Sequence, residues 1–127
     1  MINRIIDANL NRLKEGLRVV EDFVRYVSQN EDYSKQLKAL RHKCIVPKYE
    51  EYLKDRNILN DPAKTSSSTE ESRENINSIV IANFKRAQES SRVLEESFKL
   101  IDIKLSSNFK EIRYELYDLE KRILLND

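Results

Sequence analysis

The chain repeats one helical segment after an interval of 74 residues, and this repeat constrains the fold more than any other feature. Residues 8–22 and residues 82–96 carry the same side chain at seven positions. The matching pairs are Ala8/Ala82, Asn9/Asn83, Arg12/Arg86, Glu15/Glu89, Arg18/Arg92, Val19/Val93 and Glu21/Glu95. Helix propensity favours whole classes of residue and does not by itself repeat the same Asn, Arg and Glu at identical spacing. The repeat therefore predicts two related halves, each bringing one polar row to a shared site with pseudo-twofold symmetry.

Apolar residues recur at helical spacing through most of the chain, and no alternating strand pattern competes with them. The predicted helices are 3–28, a second from about 32 that Pro47 kinks or interrupts, 70–101, and a fourth that follows a cap at 106–108. Ser68 and Glu71 read as a capping box before the third helix. The sequence thus predicts an all-α, four-helix bundle of two repeated antiparallel hairpins in a single domain, 1–127. The halves are about 1–55 and 70–127, joined by a loop at 56–69.

Composition narrows the class of protein further. Lys and Arg total 23 against 22 Asp and Glu, so the net charge is only +1. This balance argues against a nucleic-acid surface and against a basic helix adsorbed to a membrane. The lone Cys44 has no intrachain partner and fits a reducing compartment. Because neither a long apolar span nor a secretory signal pattern is recognisable, we expect a cytoplasmic protein.

The repeated polar row lies beside the apolar stripe of each long helix. Asn9 falls within the stripe, Arg12 at its edge and Glu15 beyond it. Asn83, Arg86 and Glu89 occupy the equivalent places in the second half. A buried Asn needs a hydrogen bond or it costs about 1–3 kcal/mol, and its partner is a neighbouring Arg, the opposite Asn or a ligand. The alternative is ordinary helix structure, in which the asparagines bridge the two helices and Arg12–Glu15 and Arg86–Glu89 form surface ion pairs.

Small residues mark the same edge of both stripes. Gly16 lies there in the first half, and Ser90 replaces it in the second. Gly in a helix interior costs roughly 1 kcal/mol relative to Ala. A small residue here lets something approach closely, either a helix backbone or a ligand.

Outside the repeat, two further places carry candidate residues. K-A-L-R at 38–41 resembles K-E-I-R at 110–113, so Arg41 and Arg113 are possible equivalents, and His42 follows the first of them. Asp61 is isolated in the long loop near Arg56. These two are either a mobile acid and base that close over a ligand or part of an ordinary turn, since Asp before Pro is common in turns.

Four segments resemble a known family. They are R-I-I-D-A-N-L-N-R-x-x-E-G-L-R-V-V-E-D at 4–22, L-K-A-L-R-H at 37–42, N-F-K-R-x-Q-E-x-x-R-V-L-E-E at 83–96 and I-R-Y-E-L-Y-D-L-E-K at 112–121. Over nearly the whole chain they are similar to the monofunctional hydroxymethylpyrimidine phosphate kinases, which occur alone or fused ahead of thiamine phosphate synthase. The chain departs from that family in its loop, where R-N-I-L-N-D-P-A-K stands in place of a pattern like R-D-x-x-x-D-V-G-T.

The resemblance implies phosphoryl transfer from ATP, with Mg²⁺, to a pyrimidine monophosphate of thiamine biosynthesis. The residues it implicates are Arg12, Arg86 and Asp61 in catalysis, Asn9, Asn11, Arg41, His42, Arg56 and Asn83 in substrate binding, and Glu15 and Glu89 in metal binding. The resemblance suggests a thiamine phosphate synthase as a protein partner. A homodimer is expected separately, because small amphipathic bundles often pair. The loop at 56–68 is predicted to be mobile and to order over phosphate through Arg56, Asp61 and Lys64. The alternative function is a non-catalytic helical module that binds a thiamine-pathway pyrimidine or serves assembly.

Overall fold

The computed structural model describes residues 2–64 and 72–125, and these fold into helices without a strand. The elements in chain order are α1 (Ile2–Tyr26), α2 (Glu31–His42), α3 (Tyr49–Leu53), a 3₁₀ turn (Ile58–Asn60), α4 (Ile76–Phe98) and α5 (Ile103–Leu125). The predicted all-α class is confirmed. The predicted second helix is two helices, so the described part has five helices.

The two long repeated helices, α1 and α4, form the centre of the bundle. α1 packs against α4, α2 and α3, α4 packs against α5, and α2 also meets α5. Short connections join α1 to α2 and α4 to α5, so each pair is a helical hairpin, as predicted. The core between them contains the apolar stripes of all five helices; its largest fully buried side chains include Phe84, Phe98, Phe109, Ile6, Leu10 and Leu13.

Pro47 ends the regular helix of the first hairpin, as the sequence predicts. α2 stops at His42, and α3 starts only at Tyr49, after Lys48 has taken a left-handed conformation with φ 57°. Cys44 is fully buried in this connection, and its thiol donates to the carbonyl oxygen of Leu40 at 3.4 Å. Burial raises the pKa of the Cys44 thiol to about 12.

The start of α4 differs from the prediction. The capping box expected from Ser68 and Glu71 lies outside the described residues, and 72–75 are not helical. A different capping box begins the helix at Ile76. Asn75 accepts from the backbone N–H of Ser78 at 2.9 Å, and the Ser78 hydroxyl oxygen accepts from the backbone N–H of Asn75 at 3.0 Å.

The start of α5 also corrects the prediction. Asp102 caps the helix by accepting from the backbone N–H groups of Lys104 and Leu105 at 3.1 and 3.2 Å. Ser106, expected to lie in the cap, is instead buried inside the helix. Its hydroxyl donates to the carbonyl oxygen of Glu95 at 2.7 Å, which ties α5 to α4.

α1 and α4 cross closely at a glycine. A Cβ on Gly16 would lie 3.0 Å from the carbonyl oxygen of Asn83, so the small residue permits close backbone approach, which was one of the two predicted reasons for it. Asn9 precedes Gly16 on α1, yet it shares a cavity with Val93, which follows Asn83 on α4. The two helices therefore run antiparallel. Because the repeat relates residue 9 to 83 and residue 16 to 90, the pseudo-twofold axis passes near the positions midway between them, Arg12 and Arg86.

No helix in the described ranges combines the length and the apolar character that a membrane crossing requires.

Candidate functional site

A cavity of about 570 Å³ lies over the crossing of α1 and α4. Its lining residues are Asn9 and Arg12 from α1, Ala82, Lys85, Arg86, Glu89, Ser90 and Val93 from α4, and Arg73 from the segment that precedes α4. We call this the central cavity. It brings together four of the six residues of the repeated polar rows. The two helices lie side by side, as predicted, and these four residues share one cavity.

Arg12 and Arg86 lie close to the pseudo-twofold axis at the rim of the central cavity. Both are exposed, and within the described chain neither has a carboxylate partner. Among the described residues, the side chain of Arg12 makes one long hydrogen bond, to Asn9, 3.4 Å from Nη1 to Oδ1. The i,i+3 ion pairs that an ordinary helix surface would make, Arg12–Glu15 and Arg86–Glu89, are not formed. Both guanidinium groups are therefore able to bind an anion.

The two repeated asparagines satisfy their amides within their own helices. Asn9, only 5% exposed, donates from Nδ2 to the carbonyl oxygen of Ile5 at 2.9 Å. Asn83 donates to the carbonyl oxygen of Ile79 at 2.8 Å. The two amides therefore do not bridge the helices, and Asn83 is not among the residues that line the central cavity. Asn9 lines it and keeps acceptor capacity on Oδ1.

The central cavity carries a surplus of positive charge. Arg12, Arg73, Lys85 and Arg86 line it, against Glu89 as the single acid among its described lining residues. Two of these cations have other partners: the Lys85 ammonium donates to Glu120 of α5 at 3.0 Å, and Arg73 has an interaction of its own. Arg12 and Arg86, which have no carboxylate partner among the described residues, favour an anionic ligand such as a phosphate monoester.

The structure places Arg56 away from the central cavity and against α1. Its Nε and Nη2 donate to the two carboxylate oxygens of Asp7, each at 2.7 Å, and Nη2 also donates to the Tyr49 hydroxyl at 3.2 Å. These bonds, the one to Asp7 first, raise the pKa of the Arg56 guanidinium above its ordinary value. Asp7, which is 4% exposed, was not predicted as a site residue. The sequence feature that could have indicated Asp7 is its position as a carboxylate close to the apolar stripe of the first helix.

The described part of the long loop adopts turns rather than projecting over the central cavity. Asp61 accepts on Oδ1 from the backbone N–H of Ala63 at 2.9 Å. Of the two roles predicted for Asp61, this contact fits the ordinary turn. Lys64 donates to the carbonyl oxygen of Leu59 at 3.4 Å. Neither Asp61 nor Lys64 lines the central cavity. The predicted closure of this loop over phosphate stays a prediction, and residues 65–68 lie outside the described chain.

Glu15 and Glu89 are not brought together. Glu89 lines the central cavity, whereas Glu15 lines a separate cavity with Arg41 and His42. Residues 2–64 and 72–125 contain no group of three His, Cys, Asp or Glu side chains able to hold a metal ion. Asn11 is half-buried and is not a lining residue of either cavity. A Mg²⁺ site built from both glutamates is therefore not supported by the geometry.

The predicted equivalence of Arg41 and Arg113 is confirmed by their partners. Arg41 donates from Nε to Glu21 at 3.2 Å, and Arg113 donates from Nη2 to Glu95 at 2.9 Å. Glu21 and Glu95 are themselves a repeated pair, and both are buried. The same ion pair thus joins the two helices of each hairpin. This contact gives Arg41 a structural role besides the substrate binding predicted for it.

The fold and the cavity define a small helical protein of two related hairpins with a cavity lined by Arg12 and Arg86 at their crossing. The ThiD2 family model matches residues 4–122, and the chain belongs to the ThiD2 family.

Curated relatives named thiamine-phosphate synthase match most of this chain. A thiamine-phosphate synthase of Prochlorococcus marinus subsp. pastoris is 43% identical over 124 residues, which cover 97% of this chain and 35% of the relative. A thiamine-phosphate synthase of Thermosynechococcus vestitus is 40% identical over 126 residues, covering 98% of this chain and 36% of the relative. The chain spans about a third of the length of these relatives. No solved structure matches it significantly.

Proposed function

We propose that this protein is a kinase of thiamine biosynthesis that phosphorylates hydroxymethylpyrimidine monophosphate to the diphosphate with ATP. The observation that carries the proposal is the pair of equivalent arginines, Arg12 and Arg86, at the rim of one cationic cavity without a carboxylate partner in the described residues. Family membership and the relatives named thiamine-phosphate synthase support the pathway.

Phosphoryl transfer depends more on positioning and charge neutralisation than on covalent chemistry by the protein. The two guanidinium groups each offer a planar set of donors that matches phosphate oxygens. Because they extend from two different helices, they are suited to hold a phosphate from two sides. Lys85 lines the α4 side of the same cavity, where its ammonium also contacts Glu120.

The rest of the central cavity suits a small heterocycle. Its volume of about 570 Å³ lies within the range of small-molecule sites. Val93 and Ala82 supply apolar surface for a ring, and Asn9 offers Oδ1 to an exocyclic amino group. The pyrimidine monophosphate is therefore assigned to the central cavity, with its phosphate toward Arg12 and Arg86.

The reaction balances without a covalent enzyme intermediate. A terminal oxygen of the bound monophosphate attacks the γ-phosphorus of ATP, and the bond from that phosphorus to the bridging β–γ oxygen breaks. The products are ADP and the pyrimidine diphosphate. Any proton carried by the attacking phosphate is released to water. The residues of this chain bind, orient and neutralise charge throughout.

A magnesium ion in this reaction would be held by one glutamate, because Glu15 and Glu89 lie in different cavities. Mg²⁺ is often held by one or two carboxylates together with substrate phosphates and water, and Glu15 or Glu89 alone meets that requirement. When bound, the ion would supply charge neutralisation on the phosphate oxygens. Asp61, the third acid suggested by the resemblance, is assigned no role because it does not line the cavity.

The test is steady-state turnover of Arg12→Gln and Arg86→Gln, measured as ADP release with the pyrimidine monophosphate. Each loses a charge-assisted contact worth about 1.5–3 kcal/mol, so kcat/KM should fall at least about 10- to 100-fold. Melting temperatures should change little because both side chains are exposed. Arg92→Gln is the matched control, since Arg92 lies on the same helix and pairs with Glu96 outside the cavity. Wild-type turnover by both cavity variants would remove the arginines from the site.

A non-catalytic pyrimidine-binding module is the second candidate. The observation in its favour is that Glu15, Arg56 and Asp61, all suggested by the resemblance, do not line the central cavity. Thermal shift with the pyrimidine monophosphate, with and without ATP–Mg²⁺, separates the two functions. Stabilisation by the monophosphate alone, unaffected by ATP–Mg²⁺ and without turnover, would favour the module. The homodimer, the synthase partner and the cytoplasmic location are proposed with either function.

A further inference from the structure

One face of the α1–α4 pair points away from the core and carries much of the internal repeat. Five equivalent positions on it hold identical side chains, and we call these positions the outer face. They are Ile5/Ile79, Ala8/Ala82, Arg12/Arg86, Glu15/Glu89 and Val19/Val93. Each of these side chains is half-buried or exposed, and Ile5 and Val93 are 45% and 37% exposed. The helices that the structure describes therefore leave this face uncovered.

The buried positions of the same two helices do not repeat in this way. Leu13 corresponds to Ala87 and Leu17 to Ser91, although all four are fully buried. A core accepts different side chains of suitable total volume, and exposed positions usually tolerate substitution with little change in stability. Identity on the outer face therefore indicates a contact that engages both helices in the same way.

The central cavity accounts for only one side of this repeat. Ala82, Glu89 and Val93 of α4 line it, whereas their equivalents on α1 do not. Those equivalents are Ala8, Glu15 and Val19. A ligand in the central cavity therefore gives no reason for the identity of these three pairs.

The repeated positions have the spacing of a helix-packing seam. On α1 they fall at 5, 8, 12, 15 and 19, and on α4 at 79, 82, 86, 89 and 93. Alternating steps of three and four residues are the spacing by which helices pack in coiled coils and four-helix bundles. The isoleucines and valines offer apolar surface, and the alanines permit close approach of a helix. The outer face is therefore suited to a partner that presents helices.

The charges on the outer face are self-complementary. Arg12, Arg86, Glu15 and Glu89 form no ion pair within the described chain. Two cations and two acids balance, so a second outer face brings opposite charges in matching number. In an isologous contact the arginines of one copy can pair with the glutamates of the other. A guanidinium group has five N–H donors, so this pairing leaves donors for an anion in the central cavity.

From this arrangement we infer that a second copy of this chain docks on the outer face, so that α1 and α4 of both copies form a four-helix bundle. α1 and α4 have 25 and 23 residues and are each about 35 Å long. Side by side they are about 20 Å wide, so the face covers about 700 Å² per copy, close to the roughly 800 Å² per partner of a stable interface. The inference assigns a surface to the homodimer and holds with either proposed function.

The test is sedimentation velocity of the chain without ligand over a range of protein concentrations, where the wild type should dimerise. Arg12→Glu with Arg86→Glu makes the outer face wholly acidic, and Glu15→Arg with Glu89→Arg makes it wholly basic. Because like charges then meet, the dimer Kd of each double variant alone should rise at least about 100-fold. An equimolar mixture of the two should form a heterodimer. Lys110→Glu with Lys121→Glu, both exposed on α5, is the matched control and should dimerise like the wild type.

A wild-type chain that stays monomeric would overturn the inference. So would double variants that each dimerise alone as tightly as the wild type, or a mixture that stays monomeric while circular dichroism shows both variants helical. The kinase is judged separately by turnover of the wild-type chain. A dimer without phosphoryl transfer keeps this interface and removes the kinase, whereas an active monomer does the reverse.

Discussion

The two equivalent ion pairs, Arg41–Glu21 and Arg113–Glu95, allow the stability cost of losing a buried arginine to be compared within one protein. Arg113→Met removes the partner of Glu95 in the second hairpin, and Arg41→Met removes a partner of Glu21 in the first. The Arg113–Glu95 side chains are 9% and 7% exposed, whereas those of Arg41 and Glu21 are 20% and 4% exposed. Methionine keeps length and apolar packing, so each variant mainly removes charge and hydrogen bonds.

The two variants should differ in cost because the glutamates differ in their remaining partners. Loss of Arg113 leaves a buried carboxylate without a cation, which costs about 3–5 kcal/mol. Loss of Arg41 leaves Glu21 in contact with Arg18 at 3.2 Å, so the cost should be about 1–3 kcal/mol. Urea denaturation followed by circular dichroism measures both free energies of unfolding.

A double variant supplies the control. Arg113→Met with Glu95→Gln removes the uncompensated charge and should be more stable than Arg113→Met alone. Equal losses in the two single variants, or a larger loss for Arg41→Met, would refute the reasoning from burial and remaining partners.

Three further predictions concern separate parts of the fold. Gly16→Val should destabilise by about 1–3 kcal/mol in urea denaturation, since its Cβ would lie 3.0 Å from the backbone oxygen of Asn83; unchanged stability would contradict the close approach. Asp7→Asn should cost about 1–3 kcal/mol by the same assay and expose the 49–61 region to faster hydrogen exchange by releasing Arg56, and exchange as slow as wild type would show that the pair does not hold it. Burial keeps the Cys44 thiol protonated in the folded state up to a pKa of about 12, against an ordinary 9.0, so the unfolded chain loses its proton first. Stability should therefore fall by up to about 1.4 kcal/mol per pH unit above pH 9, and that part of the slope should vanish in Cys44→Ala.

Periodicity predicted the long helices well because their apolar stripes are continuous. α1 was expected at 3–28 and occupies Ile2–Tyr26. Helix starts were less predictable, because Ser, Asn and Asp near a helix end are all competent caps. Asp102 caps α5 instead of 106–108, since Ser106 is drawn into the core by its bond to Glu95.

The repeat predicted a shared cavity between the two long helices but not all of the residues that line it. Arg12 and Glu15 are about 300° apart on a helix, which is 60° around the axis, and this angle places them in different cavities. The Asp7–Arg56 pair spans 49 residues, and local spacing carries no information about such a contact. The sequence shows that both residues are charged, but their contact depends on the path that the chain takes after α3.

Transfer of a phosphoryl group from ATP to the pyrimidine monophosphate is the activity proposed for this chain. The most direct measurement is ³¹P NMR of the wild-type chain with ATP, Mg²⁺ and the pyrimidine monophosphate. The account predicts loss of the monophosphate signal, appearance of the two coupled signals of the pyrimidine diphosphate and an equal amount of ADP. An unchanged spectrum, or release of inorganic phosphate without the diphosphate, would contradict it.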